Sequence, residues 1–267
     1  MPSPSPAVTE GLRRARPLLG TLVDISAAGG LPLPALHAAV DAAFDAVARV
    51  HALMSRQDPD SELSRLNRQA PGDAQAVHMH TWTVLRAALD LAALSDGAFD
   101  PSLGNWRYIE LEEGRVRFRR PLRLDLGGIA KGYAVDLAVS VLGDAGVEHT
   151  LVNAGGDLRT TGAPYAVGLR DPRDASAVAH VVELRNAALA SSSACFSRRW
   201  VDGREVSELV DPHSGGFYTG LEGISVRAPD CMTADALTKV LLFAPPAVAE
   251  RALAVCRAEA IRLMPSG

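Results

Sequence analysis

The segment DLGGIAKG at residues 125–132 constrains this chain more than any other. An apolar stretch runs into Gly127 and Gly128, and a helical pattern begins at once over residues 130–142. Two glycines at such a junction make a tight strand-to-helix turn and let a ligand approach the main chain. A second doublet, Gly155-Gly156 in NAGGD, closes the strand-like residues 150–153.

Around this centre, helices and strands mix without a regular strand-helix-strand repeat. Residues 18–26 (LLGTLVDIS) read as a strand. Residues 36–54 place Leu36, Val40, Phe44, Val47, Val50 and Met54 at steps of three or four, an amphipathic helix. A polar turn follows over residues 55–67, closing in one helical turn, and a second helix spans residues 81–95. His78 and His80 fall in a loop before it. Residues 97–105 form a loop, and residues 116–118 and 122–126 form short strands. Further strands are predicted at 165–170, 179–184, 187–191 and 261–263, with helices at 233–243 and 246–259. The fold class is therefore α+β, one compact domain of one or two lobes. Residues 1–15, rich in Pro, Ser and Arg, form a disordered start, and residues 16–267 form the domain.

Composition removes several classes. The 267 residues carry 27 basic and 31 acidic side chains and no basic stripe, so no nucleic-acid footprint is present. No apolar run reaches the length of a membrane span. Three scattered cysteines, Cys195, Cys231 and Cys256, form neither a disulfide framework nor a Cys-x-x-Cys metal site. The start has no signal-like apolar stretch, so the expected compartment is the cytoplasm, or the periplasm for a trimmed export form. Only two lysines occur, Lys131 and Lys239, among many arginines. Where Arg is otherwise preferred, a retained Lys marks a place for a compact ammonium, or is chance.

Each candidate group has a bland reading beside the functional one. The DLGGIAKG turn frees backbone N–H groups that suit phosphate, with Lys131 in the first helical turn and Asp125 able to accept from a ribose or base. The alternative is a plain turn with a solvated lysine. The pattern is neither a dinucleotide fingerprint nor a P-loop. Asp100 is a turn aspartate before proline or a carboxylate aimed into a cleft. Asp235 and Lys239 stand four apart on a helix, an ordinary ion pair or a metal-binding carboxylate beside phosphate.

The set LLGTLVDI, SRQDPDSELSRLN, GAFDPSLG, DLGGIAKGYAVD, NAGGDL, LVDPHSGG and CMTADALTK occurs in the order found in the ApbE family of flavin transferases, which this chain resembles from residue 16 to 243. The resemblance implies a flavin-nucleotide site in a cleft, and Mg2+-dependent transfer of FMN from FAD to a Thr or Ser hydroxyl of an acceptor protein with release of AMP. It places Leu19, Gln57, Ala98, Phe99, Asp100, Asp125, Lys131, Val210 and Thr238 at the nucleotide. It gives the Gly128 carbonyl and the Asp235 carboxylate to magnesium, and a base among Glu208, Asp211 and His213. The acceptor is a redox membrane subunit or a flavin reductase, and the protein itself a monomer or homodimer.

The chain departs from that pattern where a metal-ligating threonine is Lys239, a histidine is Glu208, a tyrosine is Gln57 and Thr-Ser-Gly-Asp-Tyr is Ser191-Ser192-Ser193-Ala194-Cys195. An ammonium cannot ligate Mg2+ but can pair with phosphate, so Lys239 joins the catalytic candidates. Hydrolysis of FAD to FMN and AMP, or FAD binding without catalysis, are the alternative functions.

Overall fold

The computed structural model describes residues 11–263 except 70, 173, 175, 195–197, 202, 203, 208 and 221. In chain order the elements are β1 (Gly11–Leu18), β2 (Thr21–Ala28), α1 (Leu33–Met54), α2 (Glu62–Asn67), β3 (Gln75–Ala76), α3 (Met79–Leu94), β4 (Ile109–Glu112) and β5 (Arg115–Phe118). They continue with α4 (Ala130–Asp144), β6 (His149–Ala154), β7 (Asp157–Thr161), β8 (Tyr165–Arg170), β9 (Val178–Leu184) and β10 (Ala188–Ser193). The last are β11 (Arg198–Val201), β12 (Arg204–Ser207), β13 (Gly223–Ala228), α5 (Cys231–Phe243), α6 (Pro246–Cys256) and β14 (Glu259–Leu263).

Seven strands form one antiparallel sheet in the order β1-β2-β6-β7-β10-β13-β14. Side chains alternate across it, so each face has its own role. One face carries Val23, Ile25, Val152, Ala188, Ala190, Ile224 and Val226 into the main core with α1, α4 and α5. From the other, Leu158 and Leu189 pack with Leu169 and Leu184 of the β8–β9 hairpin in a smaller cluster. Antiparallel pairing without crossover helices is the expected α+β arrangement.

Four local expectations are corrected. Residues 18–26 are not one strand: Leu19 and Gly20, with φ of 56° and 71°, make a two-residue turn joining β1 to β2. Residues 11–15, expected within the disordered start, pair along β2 as part of β1. Residues 1–10 lie outside the described residues. Residues 122–126 are not a strand, because the Asn67 side chain takes the partner's place. Its amide donates to the Leu124 carbonyl at 2.9 Å and accepts from the Leu124 N–H at 2.7 Å. His80 is not in a loop: it lies in the first turn of α3, and His78, just outside the helix, caps it, its ring accepting from the His80 N–H at 3.1 Å.

The placement of α5 against α4 decides the site. Asp136, on α4, accepts from the Cys231 and Met232 N–H groups at 2.9 and 2.8 Å, and Asp230 accepts from Thr233 N–H at 2.8 Å. A carboxylate at a helix start satisfies orphan donors and favours the dipole. One of those carboxylates comes from the neighbouring helix, so the two are fixed in register. The helices approach closely at Gly132, where a β-carbon would lie 2.2 Å from the Cys231 carbonyl oxygen.

Candidate active site

A cleft of about 1250 Å3 opens on the sheet face that carries Leu158 and Leu189. Its wall includes the β1–β2 turn, the end of α1, the 98–103 loop, the start of α4, the Gly155-Gly156 turn and the 209–212 segment. Leu19, Gln57, Ala98, Phe99, Asp100, Asp125, Gly128, Lys131, Val210 and Lys239 all line it, so residues spread over 220 positions of chain converge.

Local chemistry holds these walls. The Leu19 N–H donates to Nδ1 of His51 at 2.9 Å, tying the β1–β2 turn to α1. Asp100 is a turn-builder: its carboxylate accepts from the Ser102 N–H, the Ser102 hydroxyl and the Gly104 N–H, each at 2.7 Å. It shapes the cleft edge rather than offering a free carboxylate. Asp100→Ala is expected to lower stability by about 2 kcal/mol, since these buried donors lose their acceptor. A thermal melt and a FAD titration on one preparation check both stability and cleft shape.

The free N–H groups expected at the start of α4 are largely engaged. Gly127 N–H donates to Asp125 Oδ1 at 2.9 Å, and Ile129 and Ala130 N–H to the Leu126 carbonyl at 3.1 and 2.8 Å. Gly132 N–H donates to Asp235 Oδ2 at 3.2 Å. Anion recognition therefore falls largely to the cationic side chains of the cleft lining, Lys131 and Lys239 among them. Lys131 pairs with Asp157, and Lys239 pairs with Asp235. Both carboxylates are buried. Burial alone would pull the Lys131 ammonium down, but Asp235 and Asp157 hold it well above the ordinary lysine range. Burial would raise Asp235, but Lys131 and Lys239 hold it below the usual carboxylate range. Asp157 is shifted up by burial and the Asp235 charge.

Among the described residues, the candidates Thr238, Asp211 and His213 do not line the cleft. Thr238 is fully buried beneath it, its hydroxyl bonding the Asp235 carbonyl and the Ser192 hydroxyl, both at 2.7 Å. Ser192 takes the place at the wall. The Asp211 carboxylate builds a turn, accepting from the His213 N–H at 2.9 Å and the Ser214 hydroxyl at 2.7 Å. Although burial opposes it, these bonds hold Asp211 below the ordinary carboxylate value, which makes it a poor base. His213 is exposed beside Gly97, outside the cleft lining. Glu208 and Cys195 lie outside the described residues. Asp157 and His51 were missed by the sequence reading. NAGGD was a signal for Asp157, whereas nothing local marked His51.

A cleft floored by lysines, with both glycine doublets in its wall, can be set beside known proteins. The ApbE family model matches residues 19–107 and 102–262. The chain belongs to the ApbE family. A relative named FAD:protein FMN transferase from Treponema pallidum is 28% identical over 84% of this chain and 76% of its own length. One of the same name from Vibrio cholerae is 28% identical over 79% of this chain and 74% of its own. The crystal structure of the ApbE protein from Thermotoga maritima superposes with a TM-score of 0.79 at 26% identity, covering 86% of each chain.

Within this ApbE-family cleft, the donors do not fit the magnesium that the resemblance assigned to Gly128 and Asp235. Asp235 is completely buried, with one carboxylate oxygen on the Lys239 ammonium and the other on the Gly132 N–H. Lys239 lies against Gly128, its Cε 3.3 Å from where a β-carbon on that glycine would sit. Lys239 thus stands against both residues to which the metal was assigned. Among the described residues, no cluster of three or more His, Cys, Asp or Glu offers an alternative.

Proposed function

We propose that this protein transfers the FMN half of FAD to a threonine or serine hydroxyl of an acceptor protein. The single observation that carries the reading is the juxtaposition of Lys131 and Lys239, the chain's two lysines, in one cleft large enough for a dinucleotide. The names borne by its relatives support the same chemistry.

In this reaction the acceptor hydroxyl oxygen attacks the FMN-side phosphorus. The bond from that phosphorus to the bridging oxygen breaks, AMP leaves with the bridging oxygen, and the hydroxyl proton is released. Charge spreads over the phosphoryl oxygens as the bond breaks, and fixed cations are the groups that stabilise it. Lys131 and Lys239 supply them, each oriented by a buried carboxylate. Leu19, Phe99 and Val210 give the apolar wall for the flavin and adenine rings, and Asp125 offers an acceptor to ribose or base. Magnesium does not enter this reading, because Lys239 holds its place.

The test is incubation with FAD and a panel of threonine-bearing acceptor proteins, following the acceptor's mass and the AMP formed. An FMN adduct matched one-to-one by AMP is expected. AMP at the same rate without acceptor would make the protein a hydrolase, and saturable FAD binding with no AMP under any condition would reject catalysis.

A further inference from the structure

The geometry points to Lys239 as a built-in cation that stands where a divalent metal would otherwise meet the pyrophosphate, so that this protein binds and cleaves FAD without Mg2+. The inference rests on reading the cleft as a FAD site. Asp235, the carboxylate a metal would need, is fully buried and has partners on both oxygens. Magnesium demands a near-octahedral set of oxygens and gives up its water reluctantly. Here it would have to displace an ammonium bound to that same carboxylate, while Lys131 stands in the same cleft.

Lys239 is itself placed as a ligand group. It has three N–H donors. Two are engaged by Asp235, one on the carboxylate and one on the main-chain carbonyl at 3.0 Å. The side chain keeps 17% exposure and lines the cleft, which leaves the third donor for a phosphate oxygen. The contact of its stem with Gly128 seats the ammonium rather than letting it swing. In the reaction, the anhydride P–O bond breaks while Lys239 keeps its proton and hydrogen-bonds a non-bridging oxygen. Nothing is oxidised or reduced.

The test measures FAD affinity by flavin fluorescence in EDTA and in millimolar Mg2+, with Mn2+ binding to the FAD-free protein followed by electron paramagnetic resonance. Wild-type affinity is expected to agree within about twofold in the two buffers, with no tight Mn2+ site. Lys239→Thr is expected to lose FAD affinity roughly tenfold or more in EDTA, to regain it in Mg2+, and to acquire a Mn2+ site. AMP formation by the wild type should persist in EDTA. A roughly tenfold gain of wild-type FAD affinity on adding Mg2+, or a tight wild-type Mn2+ site, overturns the inference. So does Lys239→Thr protein that binds FAD normally in EDTA. The wild-type measurements need no variant to fold. If the wild type bound no FAD in either buffer, the flavin-transfer reading would fall, while the Mn2+ spectrum would still decide whether Lys239 excludes a metal.

Discussion

Asp235→Asn is expected to abolish AMP formation and to lower stability at neutral pH by about 3 kcal/mol, or roughly 6–12 °C in Tm. The carboxylate is completely buried and is the acceptor for both Lys239 and the Gly132 N–H. An amide keeps the shape but not the charge. If its oxygen accepts from Lys239, its NH2 group meets the Gly132 N–H donor to donor. The Lys239 ammonium then loses the anion that fixes its direction into the cleft, and Lys131 loses one of the two charges that hold it protonated. The effect has a defined pH signature. Because the folded state holds Asp235 below its ordinary value, its contribution is present above the usual carboxylate range and is lost as pH falls through the depressed value. Denaturation of both proteins at several pH values should show their difference closing below about pH 4. A difference that stayed constant into acid would mean the side chain acts by shape alone.

The fold was legible where a segment's pattern is decided locally. The apolar spacing that predicts α1 and the glycine turn before α4 give elements that begin within a few residues of expectation. Strands β7 and β13 were not legible. Asp157–Thr161 is polar at four of its five residues, with Asp157 and Arg159 turned towards α4, and Gly223–Ala228 is buried on nearly every residue, so neither shows a clean alternation of apolar-in and polar-out. In the site, membership of the cleft followed the motifs, but roles followed pairings across the chain. Lys131 meets Asp157 only because β6 and β7 pair Ala154 with Asp157, a register no local pattern states. The two Asp-Pro loops show the opposite case. Asp100 and Asp211 each accept from the N–H two residues on, at 2.7 and 2.9 Å, the habit of an aspartate in a turn. Asp100 builds the turn that its local pattern predicts and also lines the cleft, as its place in the motif implies.

Gly132→Ala is expected to destabilise by more than about 3 kcal/mol and to remove FAD binding with it. The new β-carbon would lie 2.2 Å from the Cys231 carbonyl oxygen, 2.6 Å from its carbon and 2.7 Å from the Met232 Cα. All three are backbone atoms, so no side chain can swing aside. To restore ordinary contact, α4 and α5 must part by roughly an ångström. That movement strains every bond that crosses the pair. It stretches the Gly132 N–H bond to Asp235, and the bonds from Asp136 to Cys231 and Met232 that start α5. The one methyl therefore acts on the lysine–carboxylate cluster through the backbone. At Gly143, in the same helix, an added β-carbon would meet nothing within 4 Å. Gly143→Ala is expected to stabilise by up to about 1 kcal/mol, because alanine is the better helix former and nothing opposes it. Urea denaturation of the two variants gives opposite signs if the α4–α5 approach, rather than helix propensity, is what requires glycine at position 132. Equal small gains at both positions would show that the helices pack less closely than the site requires.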